Sequence, residues 1–188
     1  VDEDFDWTGP DGGVSAGVGA ECGVGACLGG LTKCNVDGSG LRCTTSSKAS
    51  GETCNGIDDD CDGLIDAADA DDLLTNDRQY CELDAGVCLG AEKPVALCLD
   101  GGWQACDAAV YGAHDAQYQE GVELTCDDVD NDCDGAADED FSLDLLDGAS
   151  VSGVNQGCGK GACAGGLTEC TGDAAGITCP TETQAALE

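Results

Sequence analysis

Glu52-Thr53-Cys54-Asn55-Gly56-Ile57-Asp58-Asp59-Asp60-Cys61-Asp62-Gly63, continuing as Leu64-Ile65-Asp66, is the stretch that decides how this chain is read. Aspartates at alternate positions followed by glycine make D-x-D-x-D-G, the front of an EF-hand-type loop. In such a loop, carboxylates at positions 1, 3 and 5 converge on one hard cation and a glycine at 6 permits a sharp turn. A backbone carbonyl serves at 7 and a further oxygen at 9. The expected ligands are Asp58, Asp60, Asp62, the Leu64 carbonyl and Asp66, with Asp69 at position 12 where a glutamate is usual. Cys54 and Cys61 bracket the front of the loop with C-x6-C spacing.

The pattern returns at an offset of 72, from Cys54 to Cys126. Asp130-Asn131-Asp132-Cys133-Asp134-Gly135-Ala136-Ala137-Asp138 predicts Asp130, Asp132, Asp134, the Ala136 carbonyl and Asp138 as ligands. Position 12 is Phe141, which cannot ligate, so Asp140 or Glu139 is expected to close the site. Asp2 and Asp4 match Asp138 and Asp140 and would be half of a further site. Oxygen-only donors on a flexible loop select calcium. The expected affinity is that of extracellular modules, on the order of 10⁻⁴–10⁻³ M.

A longer repeat encloses the shorter one. Residues 1–52 align without gaps on residues 137–188, an offset of 136, with 24 of 52 positions identical. Cys22, Cys27, Cys34 and Cys43 fall on Cys158, Cys163, Cys170 and Cys179, and the intervening segment carries Cys81, Cys88, Cys98 and Cys106 in the same order. Each module is four cysteines in a Gly-rich stretch followed by an acidic C-x6-C loop. This divides the chain into a first module, 1–66, with a calcium loop at 54–69; a second, 67–140, with a loop at 126–141; and a truncated third, 141–188. The chain opens in the tail of one acidic loop and stops before the next expected Thr-Cys. It is therefore expected to be a window on a tandem array, or a subunit whose ends complete a site with its neighbours.

Composition says what must hold such a chain together. Leu, Ile, Val and Phe number 33 of 188 residues and the net charge is −33, too little apolar surface and too much repulsion for an ordinary core. The 16 cysteines supply the alternative, a disulfide framework formed in an oxidising compartment. Zinc sites want C-x2-C spacing with histidine, whereas the chain has no C-x2-C and one histidine, His114. Neighbouring cysteines suggest eight local bridges: 22/27, 34/43, 54/61, 81/88, 98/106, 126/133, 158/163 and 170/179. The fold class expected is small and disulfide-rich, mostly irregular, with short β-hairpins at 36–40, 100–102 and 172–176 and short helices or turns within 67–74 and 108–123.

The segment Glu52–Gly63 resembles the MopE-type metal-binding repeat of bacterial secreted and surface proteins. Thr125–Phe141 is similar, with Asp127-Asp128 in place of Asn-Gly. The Gly-x-Cys-x-Gly stretches at 25–29 and 161–165 are similar to what precedes that repeat. The resemblance implies metal binding. Its copper label fits poorly with a chain that has no methionine and one histidine.

No nucleophile elbow, phosphate loop or dinucleotide fingerprint is present, so no enzyme is expected. The acidity repels nucleic acid and anionic membranes. Thr44, Thr45, Ser46 and Ser47, and in the equivalent place Thr181 and Thr183, are candidates for O-linked sugars. The expected function is an extracellular (secreted or cell-surface) structural repeat protein that packs against copies of itself or adjacent repeats to build a fibre stabilised by disulfides and calcium. A cell-surface adhesin and a metal-handling protein are the alternatives.

Overall fold

The computed structural model describes residues 5–185, with side chains up to Glu182. Asp2 and Asp4, and the side chain of Thr183, lie outside the described residues. Backbone order comes from two-stranded and three-stranded antiparallel pieces rather than from one large sheet. Hairpins join Asp6–Thr8 to Val14–Ala16 and Ser142–Asp144 to Ser150–Ser152. Glu21–Cys22, Gly30–Cys34 and Leu41–Cys43 form a three-stranded sheet. The repeat-related Gly157–Cys158, Gly166–Leu167, Glu169–Cys170 and Ile177–Thr178 form two adjoining pairs, and Cys98–Leu99 pairs with Gly102–Trp103. Three of these hairpins turn at the Asp/Gly-rich segments singled out in the sequence. Those at 6–16 and 142–152, which turn at Asp11-Gly12 and Asp147-Gly148, lie outside the hairpins expected from the sequence.

The helices are short. Ala70–Asn76 buries Leu73 completely. Ala108–His114 starts at Asp107, whose carboxylate accepts the Val110 amide, and buries Tyr111. The helix stops at His114, well before Glu123. Contacts divide the chain into two compact units. One holds residues up to Gln79 with Lys93–Ala105, the other Tyr80–Glu92 with the chain from Cys106 onward.

Disulfides take the place of a hydrophobic core. Tyr111 sits among Cys81, Cys88, Ala91 and Cys133, with the Tyr118 ring 5.3 Å away. The local pairing expected from the sequence is not the one formed. The bridges are Cys22–Cys43, Cys27–Cys61, Cys54–Cys98, Cys81–Cys106, Cys88–Cys133, Cys126–Cys170 and Cys158–Cys179. Cys34 and Cys163 are free. Strand register is part of the reason: Cys34 stands opposite Leu41 while Cys43 stands opposite Thr32, so sequence neighbours are not cross-strand partners. The bridges close loops of 21 to 45 residues. On the chain-entropy view each contributes about 3–4 kcal/mol, more than short local bridges would.

Two buried threonines show how faithfully the repeat is kept. The Thr32 hydroxyl donates to the Gly17 carbonyl and accepts the Ala20 amide; Thr168 does the same with Gly153 and Gln156.

Candidate metal centres

Both acidic loops wind by side-chain to backbone hydrogen bonds. In the first, Asp58 Oδ2 accepts the Gly63 amide at 3.1 Å, Asp60 Oδ1 the Asp62 amide at 3.1 Å and Asp62 Oδ1 the Leu64 amide at 2.7 Å. In the second, Asp130 accepts from Gly135 at 3.0 Å, Asp132 from Asp134 at 3.2 Å and Asp134 from Ala136 at 2.9 Å. Cys61 and Cys133, at matching places, both adopt left-handed backbone, as do Gly63 and Gly135. The winding leaves Oδ1 of Asp58 in the first loop and Oδ1 of the matching Asp130 in the second buried with no hydrogen-bond partner among the described residues; in the second loop the Asn131 amide group and one oxygen each of Glu123 and Glu139 share that state.

Carboxylates gather around those oxygens. Glu52, Asp58 and Asp60 bring ligand atoms within 4.8 Å of one another, as do Asp60, Asp69 and Asp72; in the second loop Glu123, Asp130 and Asp132 do so. Each cluster concentrates negative charge. Burial, then the neighbouring charges of Asp62, Asp69 and Asp72, pushes the Asp60 carboxyl up despite the Asp62 amide. Asp69 is pushed up by burial and by Asp62, Asp72 and Asp71. Asp132 is raised by burial and by Asp134, Asp140 and Asp130, and Glu139 by burial and by Asp134, Asp140 and Asp132. Burial lifts Glu123 to about 7, against the backbone amides of Asn131 and Asp138. A cation among these groups would offset the repulsion.

The carboxylate clusters differ in membership from the expected ligand sets in two respects. Asp66 and Asp138, placed at position 9, turn away from the clusters. Asp66 accepts the amides of Asn55 at 2.9 Å and Gly56 at 3.0 Å. Asp138, wholly buried, accepts those of Asp127 at 3.1 Å and Asp128 at 2.7 Å. Both have left-handed backbone, which swings the side chain back toward the start of the loop. Each lies beside a disulfide, Cys54–Cys98 or Cys126–Cys170, whose sulfurs are committed to each other. These aspartates are supports of the loop. Leu64 and Ala136 take part through their amides, which donate to Asp62 and Asp134.

The second difference is an addition. Glu52 is fully buried, its Oε1 accepting the Asp66 amide at 2.8 Å and its Oε2 the Asp59 amide at 2.9 Å, while its own amide donates to Asp72. Glu123 accepts the Asn131 amide at 2.7 Å and donates its amide to Asp140. Glu52, Asp72 and Glu123 were missed because they stand outside the D-x-D-x-D-G frame. The available signal was a glutamate shortly before the first cysteine of both C-x6-C motifs.

The donor set is one of oxygens. All four loop cysteines, Cys54, Cys61, Cys126 and Cys133, are in disulfides, and the His114 imidazole lies at 3.2 Å from the Leu89 carbonyl, apart from both clusters. Such a set suits a hard divalent cation and lacks the thiolate, thioether and imidazole donors that favour copper. Of the glycan candidates, Ser46 and Ser47 are exposed, whereas Thr44, Thr45 and Thr181 are half-buried. The Thr44 hydroxyl accepts the Leu31 amide, the Thr45 hydroxyl donates to the Cys27 carbonyl, and Thr181 lies against Cys179.

No curated protein and no solved structure matches the chain. Residues 49–67 and 115–139 match the Cu-binding MopE family model, described as "Putative metal-binding motif". The two matched segments span most of the residues that build the two clusters, so each of the two stretches similar to the MopE-type motif lies at the centre of a carboxylate cluster.

Proposed function

We propose that the chain is an extracellular structural repeat in which each acidic loop binds one calcium ion. The observation that carries this is the repetition of one unusual feature: Asp58 and Asp130 each hold a buried carboxylate oxygen with no partner inside a ring of further carboxylates. A buried charge without a partner is costly, and a hard cation supplies the missing partner. Asp58, Asp60, Asp69, Asp72 and Glu52 would hold the ion in the first loop. Asp130, Asp132, Asp140, Glu123 and Glu139 would hold it in the second. The calcium would neutralise part of the −33 charge and add to the disulfides and hydrogen bonds that tie each loop to its neighbouring segments.

Seven disulfides in 188 residues support an oxidising, extracellular setting. A tandem array of such modules suits a stalk or fibre, because each repeat contacts mainly its neighbours. Isothermal titration calorimetry of the oxidised protein tests the reading. Two calcium sites per chain, with copper(II) binding weaker or at other residues, are expected. Tight copper binding with no calcium binding would replace this function with metal handling.

A further inference from the structure

The two free cysteines occupy the same kinds of place that bonded cysteines occupy elsewhere in the chain. In each acidic loop the two cysteines bond in opposite directions. The second reaches back to a Gly-x-Cys 3₁₀ turn, as Cys61–Cys27 and Cys133–Cys88; the first reaches forward to a hairpin strand, as Cys54–Cys98 and Cys126–Cys170. Every acidic loop is thus a two-handed staple. Cys163 lies on a third Gly-x-Cys turn and Cys34 on a third hairpin strand.

The seats are shaped for a loop as well. At the turn Gly25–Cys27 the Ala26 amide donates to the Asp58 carbonyl at 2.8 Å, and that carbonyl occupies the space a Cβ on Gly25 would need. At Gly86–Cys88 the Val87 amide donates to the Asp130 carbonyl at 3.0 Å, which likewise fills the space beside Gly86. Gly161-Ala162-Cys163 repeats Gly25-Ala26-Cys27 in sequence and in its left-handed glycine, φ +59° against +52°, yet no described atom lies within 4 Å of the Gly161 Cβ position. The hairpin seats agree. The Asn55 carbonyl lies 2.8 Å from the Cβ position of Gly101, beside Cys98, and the Cys126 amide donates to Ala174, beside Cys170. At the hairpin of Cys34 the Cβ position of Gly38 meets no described atom within 4 Å and Val36 is 100% exposed.

We infer that Cys163 and Cys34 are half-bridges for acidic C-x6-C loops other than the two described: Cys163 takes the second cysteine of such a loop, and Cys34 takes the first. Cys54, Cys61, Cys126 and Cys133 are already bonded, so the incoming loop brings its own two thiols. It comes either from further residues of the same polypeptide or from a separate chain. One loop would serve both ends, joining Cys163 of one copy to Cys34 of the next, as the loop at 54–61 joins Cys27 and Cys98. Each new bond oxidises two thiols to one disulfide, releasing two protons and two electrons to a disulfide oxidant such as oxidised glutathione, which leaves as two thiols. The pairing stands whether or not the loops bind calcium.

The test is non-reducing peptide mapping of the full-length protein, alkylated in denaturant before digestion. The expected result is Cys34 linked to the first cysteine, and Cys163 to the second cysteine, of an acidic C-x6-C peptide. Alkylated Cys34 and Cys163, a direct Cys34–Cys163 bond, or the reversed assignment would each overturn the proposal. Reduction then separates the two sources: an unchanged chain mass on denaturing gels means the same polypeptide, and a fall in mass means separate chains. Cys34→Ser and Cys163→Ser provide the control, since neither cysteine is bonded within the chain. Each variant should keep the circular dichroism of the parent and lose only its own linkage; loss of both linkages in either variant would contradict the assignment of separate seats.

Discussion

The two acidic loops share one frame and close it differently. After Asp66 the first loop passes through a 3₁₀ turn, Asp66–Ala68, into the helix Ala70–Asn76, and this detour delivers Asp69 and Asp72. The second loop has no helix there: Glu139 and Asp140 follow Asp138 directly, and Asp140 accepts the Glu123 amide as Asp72, on the helix, accepts the Glu52 amide in the first. The backbone is also anchored differently where each loop begins. The Cys54 amide donates to the Asp77 carboxylate at 3.0 Å, while the Cys126 amide donates to the Ala174 carbonyl at 2.9 Å. A site of this kind is specified by where the oxygens arrive, not by the loop position that supplies them.

The largest expected effect is removal of the ion itself. With calcium at a hundred times Kd, each occupied site adds about 2.7 kcal/mol to stability, so chelation should lower the melting temperature by several degrees in calorimetry. An unchanged melting temperature would break the comparison at its root, since neither loop would then be a site. Next come the first ligands. Asp58→Asn and Asp130→Asn should each weaken one calcium site by about tenfold to a hundredfold and spare the other, which titration calorimetry resolves as loss of one site. Loss of both sites in either variant would mean that the loops are coupled.

Asp66→Asn sharpens the comparison from the other side. It weakens charge-assisted bonds to the Asn55 and Gly56 amides, so stability should fall by about 1–3 kcal/mol while calcium affinity changes little. A selective loss of the first calcium site with unchanged stability of the calcium-free protein would return Asp66 to the ligand set.

The smallest effect distinguishes the anchors of Cys54 and Cys126 by pH. Burial pushes the Asp77 carboxyl up, but hydrogen bonds from the Trp103 indole, the Cys54 amide and Gln79 outweigh it and hold the group below the usual carboxylate range. A lowered folded pKa contributes stability above the unfolded value of about 3.9, and that stability is lost as pH falls through the folded pKa. Asp77→Asn should therefore cost about 1 kcal/mol at neutral pH, and the gap to the parent should close in acid. Trp103 fluorescence during urea unfolding at several pH values measures it. The Ala174 carbonyl does not titrate, so the second loop has no counterpart to this dependence.

The sequence by itself determined the local parts: the D-x-D-x-D-G winding, the repeat offsets, the Asp/Gly hairpin turns and the reliance on cysteine in place of a core. These follow from interactions between residues a few positions apart, and the hydrogen bonds from the Gly63 amide to Asp58 and from the Asp62 amide to Asp60 span no more than five residues. Only the tertiary structure decided the disulfide partners, the retreat of Asp66 and Asp138, and the arrival of Glu52 and Glu123 in the clusters. The physical reason is distance along the chain. Cys54 meets Cys98 across 44 residues and Glu52 meets Asp72 across 20, and no periodicity in sequence reports which of several equivalent cysteines or carboxylates packing brings together.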